Sequence, residues 1–434
     1  MSLHLARFMH RLEECRSVRW EGRVTKVLGQ LVESEGPVCS VGEACAIITT
    51  DQQSYAGEIV GFRGSTVLSM PLHKPAGLRY GDTIVTWGSR ACLRVGEGLL
   101  GRVIDASGAP LDQFGSYAAS EDWPLEGSAP RPLERVPIRD ALSCGIRAID
   151  AFVTCGRGQR LGIFGGSGVG KSTLLGMMAR STAADVTVLA LVGERGREVG
   201  EFLETLGTEG RRKAVVVVST SDESPVLRLR AAMAATAISE YFCCQGKHVL
   251  LVVDSLTRFA MAQREIGLAA GEPPTAKGYT PSVWSLLARL VERAGQFSGG
   301  SITAFYTVLM EGDDQQDPLV DAVRSLLDGH IVLDRKLAMQ NHYPPISVLD
   351  SLSRLMPAVA SAAHLRRAGE LRRLLAAHAR SEDLIRVGAY QKGADPVLDK
   401  AIEVLPTINT LLRQRPEEST PLDKTVESML AVAV

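Results

Sequence analysis

The sequence predicts an α/β protein: a largely parallel sheet covered by helices, with a small β-barrel before it and a helical domain after it. Three observations predict this. Six near-continuous apolar runs between residues 160 and 334 alternate with helix-like patterns. Short alternating stretches broken by Gly, Pro and Asp fill residues 19–95, and an Ala-, Leu- and Arg-rich helical texture begins near residue 357. At 434 residues the chain is too long for one ordinary core, so two or three domains are expected.

Within residues 1–18, Leu5, Phe8, Met9 and Leu12 recur at helical spacing among Arg7, Arg11, Glu13 and Glu14. That spacing predicts one amphipathic helix, docked either on its own domain or on another protein. Over residues 19–95, "RVTKVLGQLVE", "ACAIITT", "SYAGEIVGFRGSTVLSMPL" and "DTIVTWGS" read as barrel strands. In residues 96–356, "RLGIFGG", "DVTVLALVG", "AVVVVSTS", "HVLLVVDS", "SITAFYTVL" and "GHIVLD" are apolar without alternation. Such strands are buried on both faces, hence parallel and covered by helices. Residues 357–434 read as helices on which Arg366, Arg367, Arg372 and Arg373 form a basic face, solvated by default and a partner surface as the alternative.

Composition excludes several classes. A net charge of −1 does not suit a protein that holds nucleic acid by bulk electrostatics. No apolar run approaches a membrane span, and the charged start lacks a signal-peptide core, so a cytoplasmic location is expected. The eight cysteines are scattered without C-x-x-C or zinc-like spacing, so buried free thiols are expected rather than disulfides.

"GGSGVGKS" (165–172) fits G-x-x-x-x-G-K-[ST], with "LGIF" as a strand before it and "STLLGMMAR" as a helix after it. Gly165, Gly166, Ser167, Gly168, Val169, Gly170, Lys171, Ser172 and Thr173 are therefore the expected nucleotide-binding residues. The glycines let backbone N–H groups cradle phosphates at a helix start, Lys171 reaches the outer phosphates and Ser172 binds Mg²⁺. Asp254 ends the strand "HVLLVVD" at the sheet edge where such folds bind ligands. A water-mediated grip on Mg²⁺ is expected there, with a plain helix N-cap as the competing reading. No N-K-x-D pattern starts at Asn341 or Asn409, which favours ATP over GTP.

The stretch "LALVGERGREVG" (189–200) leaves an apolar strand and then packs Glu194, Arg195, Arg197 and Glu198 into five residues. A nucleotidase needs a carboxylate to orient water and guanidiniums to stabilise phosphoryl charge. Spacing alone leaves open a solvated loop whose charges pair among themselves.

"GERGRE" beside "GGSGVGKS", followed by "VVDSLTRFAMAQREIGLAAGEPPTAKGYTPSV" and "GSITAFYTVLMEGDDQQDP", resembles the ATPases of flagellar and type III secretion export. Those are in turn similar to the catalytic subunit of rotary ATP synthases. The resemblance runs from about residue 20 to the C-terminus and implies a RecA-type parallel-sheet P-loop ATPase core. It implies that Glu194 positions the attacking water, with Arg195 and Glu198 organising the site. It also implies that Asp254 is linked to Mg²⁺, that Arg258 borders the γ-phosphate and that Tyr343 packs on adenine. Arg354 matches an arginine finger, which in the family reaches the nucleotide of the adjacent subunit.

The implied assembly is a homohexamer at the cytoplasmic face of the inner membrane. Its implied partners are a stator-like regulatory subunit at the N-terminal helix, a central stalk protein, export-gate membrane proteins, and export substrates with chaperones. The loops "GEPPTAKGYTPSV" and "EGDDQQDP" resemble those lining the ring's channel, and Asp313, Asp314 and Asp317 read as a solvated loop rather than a metal site. The function implied is a flagellar export motor that couples ATP hydrolysis to chaperone release and substrate entry, with an injectisome ATPase as the alternative. A ring-shaped nucleic-acid motor is a distant third, since residues 19–95 lack aromatic–basic interleaving.

Overall fold

A computed structural model describes residues 18–310, 312, 314 and 317–433. The amphipathic positions Leu5 to Leu12, Cys15 and Asp313 lie outside the described residues. Six strands, β1 (Trp20–Leu28), β2 (Leu31–Glu35), β3 (Glu43–Ile48), β4 (Ser54–Arg63), β5 (Thr66–Pro71) and β6 (Thr83–Arg90), close into a barrel in the order β1-β2-β5-β4-β3-β6. Alternation along each strand sends Val24, Val32, Cys45, Ile47, Ile59, Val67 and Ile84 into one interior cluster.

A ribbon of β7 (Cys92–Val95) and β9 (Glu121–Pro124) leads out of the barrel, and β8 (Val103–Asp105) joins the main sheet. A second small ribbon pairs β10 (Ala141–Leu142) with β11 (Cys155–Gly156). The other sheet strands are β12 (Arg160–Gly165), β13 (Val186–Glu194), β14 (Ala214–Thr220), β15 (His248–Asp254), β17 (Ser301–Leu309), β18 (Gly329–Leu333) and β19 (Ile346–Ser353). They lie in the order β19-β18-β12-β17-β15-β13-β14-β8, with β16 (Gly295–Gln296) beside β17. All the neighbours along that path are parallel except β19, which runs antiparallel to β18.

Burial on both faces explains the continuous apolar runs. In β13, Val188, Ala190 and Val192 enter one core with the helices Pro225–Cys244, Leu256–Ala270 and Pro281–Val291. Leu189 and Leu191 enter another with the helices Lys171–Ser181 and Gly196–Arg212. The C-terminal helices Ala362–Arg386, Pro396–Leu412 and Leu422–Leu430 share that second core through Leu371, Leu374, Leu398, Ile408 and Met429.

The expected basic face is only partly one. Arg366 and Arg373 are exposed and Arg367 pairs with Glu370 at 3.0 Å, whereas Arg372 turns inward onto backbone carbonyls. Of the acidic loop, Asp317 caps the next helix through Leu319 N–H and pairs with Lys277 at 2.6 Å, so it is an anchor rather than a solvated charge. The seven described cysteines are free thiols. No helix among the described residues is long and apolar enough to cross a membrane.

Candidate nucleotide and hydrolysis site

The phosphate loop spans the end of β12 and the first turn of the Lys171–Ser181 helix. Gly168 (φ +76°) and Gly170 (φ +101°) sit in the left-handed region that glycine adopts without strain. A Cβ on Gly170 would lie 3.5 Å from the Tyr343 ring, so the loop passes directly beneath that aromatic. Val169 is buried and pins the loop, while Ser167, Gly168, Ser172 and Thr173 are exposed at its outer rim.

Lys171, Glu194 and Asp254 converge. β13 and β15 are parallel neighbours with Leu191 opposite Asp254, so their carboxylates leave the same sheet edge. The Lys171 Nζ lies 2.5 Å from Asp254 Oδ1 and 3.9 Å from Glu194 Oε1. Asp254 is held in turn by the Thr307 hydroxyl, which donates at 2.7 Å. This answers the competing readings for both carboxylates: Glu194 is not in a solvated loop, and Ser255 rather than Asp254 caps the following helix.

Burial, then the Asp254 carboxylate, push the Glu194 carboxyl up to about 7, against the pull of Lys171. A carboxyl titrating near neutrality suits proton exchange with water. The Glu194 Oε1 atom is buried without a hydrogen-bond partner, an orphaned acceptor that a site normally fills.

The donor set fits Mg²⁺. The Ser172 hydroxyl in the first turn of the Lys171–Ser181 helix and the Asp254 carboxylate at the end of β15 are hard oxygen donors. No group of three or more His, Cys, Asp or Glu among the described residues forms a metal cage by itself. Mg²⁺ ordinarily keeps waters and takes its remaining oxygens from phosphates.

Of the other charged candidates, Arg258 packs its stem over Gly193 (φ +68°), where a Cβ would approach within 3.2 Å, and its Nε is buried without a partner. Arg195 precedes the Gly196–Arg212 helix with its side chain 77% exposed, 3.8 Å from Glu198. It is therefore at the rim rather than beside Lys171. Glu198 sits close enough to Glu194 to help raise its carboxyl.

Tyr343 overhangs a cavity of about 800 Å³ whose floor includes Gly168, Gly170 and Thr173 and whose far wall is Arg413, Gln414 and Pro416. The far wall was not legible in sequence. The Gln414 N–H donates to Tyr343 O at 2.9 Å, and its side-chain amide accepts from Arg147 N–H and donates to Gly145 O. Arg147 adds a bond from Nε to Leu411 O at 2.8 Å.

Arg354 is elsewhere. The antiparallel β19 starts beside Leu333 at the phosphate-loop end and finishes opposite Gly329, and Arg354 N–H donates to Asp328 O. The exposed Arg354 therefore stands at the end of the sheet away from its own Lys171.

A parallel sheet that feeds a phosphate loop, with a lysine and two carboxylates at its edge, defines a P-loop ATPase. Residues 24–88 match the β-barrel domain and 145–353 the nucleotide-binding domain of the ATP synthase alpha/beta family, and 360–431 match the T3SS EscN ATPase C-terminal domain. The flagellum-specific ATP synthase of Bacillus subtilis is 47% identical over 97% of both chains. The type 3 secretion system ATPase of Xanthomonas euvesicatoria is 46% identical over 95% of this chain and 93% of that one. The assembled ATPase EscN of enteropathogenic E. coli superposes with a TM-score of 0.90 at 44% identity, covering 95% of this chain and 99% of that one. The chain belongs to the family of flagellum-specific ATP synthases and type III secretion ATPases, and it is an ATPase of that family.

Proposed function

We propose that this chain is the flagellar export ATPase, working as a homohexameric ring in which each hydrolysis site is completed by Arg354 of a neighbouring copy. The observation that carries the ATPase reading is the convergence of Lys171, Glu194 and Asp254, with Glu194 Oε1 buried and left without a hydrogen-bond partner. Tyr343 takes the adenine, the loop from Gly165 to Thr173 the phosphates, and Lys171 the charge of the outer two. Glu194 accepts a hydrogen bond from the attacking water and orients it. Arg258 steadies the phosphoryl oxygens, with Arg195 and Glu198 supporting the carboxylate. Ser172 would hold Mg²⁺ directly and Asp254 through water; when bound, it neutralises charge on the phosphate oxygens.

A trans arginine is supported by two observations: Arg354 lies at the far end of the sheet, and the EscN relative was solved as an assembled ATPase. A relative solved with its central stalk EscO supports a stalk partner here. A stator-like subunit at residues 1–18, the export gate and chaperoned substrates at the cytoplasmic face of the inner membrane complete the reading. The flagellar assignment is supported by the relatives from Bacillus subtilis and Salmonella typhimurium, at 47% and 49% identity. An injectisome role is the second reading, supported by the match at 46% to the Xanthomonas ATPase.

The test is ATPase rate per chain against protein concentration. Wild type rises as copies assemble, while Arg354→Ala stays flat and about a thousandfold lower at saturation. A concentration-independent rate shared by both proteins overturns the trans arrangement. Loss of ATPase in Glu194→Gln with nucleotide binding kept supports the role of Glu194, and full activity in that variant overturns it.

A further inference from the structure

Arg372 is a partly buried cation with no carboxylate partner among the described residues. Its guanidinium donates to Phe152 O at 2.6 Å and, through both terminal nitrogens, to Ser351 O at 3.2 Å. Burial holds its pKa below the ordinary arginine value. Such a group is costly to keep unless its hydrogen bonds hold something in place.

Both acceptors are backbone groups that secondary structure leaves open. Phe152 ends the Arg147–Phe152 helix, whose last carbonyls are met by side chains. Thr154 Oγ1 donates to Asp150 O at 2.9 Å, His364 Nε2 lies 2.8 Å from Ala151 O, and Arg372 serves Phe152 O. A cation at that helix end also meets the negative pole of the peptide dipoles.

Ser351 lies in a break in the β18–β19 ladder. His330 pairs with Leu352 and Val332 with Ser347, so residues 348–351 oppose Ile331 alone. Within this bulge, Ser351 Oγ accepts from Val332 N–H at 2.9 Å and donates to Ser347 O at 2.5 Å. Ser347 Oγ donates to Asp350 at 2.6 Å. Arg372 ties one carbonyl of the bulge, that of Ser351, to the body of the molecule. Bulges re-aim the residues that follow them, and Arg354 follows this one by three residues.

We propose that Arg372 is a positioning residue for Arg354: it clamps the β19 bulge to the end of the Arg147–Phe152 helix and so fixes where the guanidinium of Arg354 is presented to a neighbouring copy. The inference rests on Arg354 acting in trans. It assigns the C-terminal domain a part in the chemistry of the next site, in addition to walling its own base cavity.

The test separates donor from acceptor chains. An Arg354→Ala chain keeps its own loop and lysine but donates no finger, and a Lys171→Ala chain donates a finger but cannot hydrolyse. Mixing the two recovers ATPase activity. Adding Arg372→Gln to the Lys171→Ala donor lowers the recovered kcat about ten- to a hundredfold, the scale expected for a misplacement near one ångström. Adding Arg372→Gln to the Arg354→Ala acceptor leaves the recovery unchanged.

Equal losses from both placements, or loss from the acceptor placement alone, overturn the inference, since Arg372 would then act within its own site. So does full recovery with the donor variant. No recovery in the parent mixture refutes the trans finger itself, a separate failure. If Arg372→Gln does not melt cooperatively, Arg372→Lys takes its place. It keeps the charge at Phe152 O but lacks the planar fork whose two nitrogens meet Phe152 O and Ser351 O together, and it lowers donor recovery without touching the acceptor.

Discussion

Glu194 illustrates how a site sets the chemistry of one atom. Its carboxylate faces an ammonium at 3.9 Å and shares that ammonium with Asp254, which lies nearer to it. Burial and the second carboxylate outweigh the lysine, and the group titrates near 7 instead of in the ordinary carboxylate range. In its proposed role as the orienting acceptor Glu194 must be ionised, so kcat/KM should climb with pH and level off above about pH 7. Glu194→Gln removes the climb along with about two to four orders of magnitude of rate.

Stability runs the other way. A folded pKa raised above the unfolded value favours folding while the group is protonated, and that contribution fades as pH rises from the ordinary range through about 7. Glu194→Gln should therefore melt higher than wild type at pH 8, with the gap closing below pH 5, as read by thermal denaturation. Tyr343, whose ring a Cβ on Gly170 would touch at 3.5 Å, acts on a different part of the same site. Tyr343→Ala raises KM for ATP about tenfold or more, the scale of a lost base–aromatic stack, and leaves kcat nearly intact in steady-state assays.

Among elements, the link between the cavity under Tyr343 and the C-terminal domain is the least local. Arg147 reaches the carbonyl of Leu411 and supports Gln414, which fastens the Tyr343 carbonyl. Arg147→Ala keeps the main-chain bond to Gln414 but leaves the carbonyl of buried Leu411 without its guanidinium partner, at a cost of about 1–3 kcal/mol. It should lower the melting temperature and weaken ATP binding together, and excess ATP should restore part of the lost stability.

These partners explain what could and could not be read from the chain. The strands were legible because a strand buried on both faces must be apolar throughout, as Val188 and Leu189 are on opposite sides of β13. The phosphate loop was legible because its chemistry is local: glycines, Lys171 and Ser172 act from consecutive positions. Gln414 was not, since its partner Arg147 is 267 residues away and nothing in either neighbourhood announces the other. Arg372 was misread as part of a solvated face for a related reason. Helical spacing says which side of a helix a residue occupies, but not that two orphaned carbonyls wait beside it. The likeness to a family supplied Arg354, whose isolation from Lys171 no local pattern could have disclosed.

At the scale of the whole molecule, the Arg230–Glu58 pair at 2.6 Å joins the barrel to the sheet domain, and the bonds of Arg147 to Leu411 and Gln414 join the helical domain to it. Cells lacking this chain should assemble no hook or filament, and complementation with Glu194→Gln should not restore swimming. Normal motility with failed effector injection would instead support the injectisome reading.

The separation of Arg354 from Lys171 along one sheet has a consequence for counting. In the proposed trans arrangement, competence resides in the seams between copies, never in a copy alone. An open row of n molecules has n − 1 finished seams and one unpaired face at each end, whereas a circle of n has n. Closing the circle therefore switches on one more centre without adding any protein, so the final docking event contributes more turnover than its share of mass.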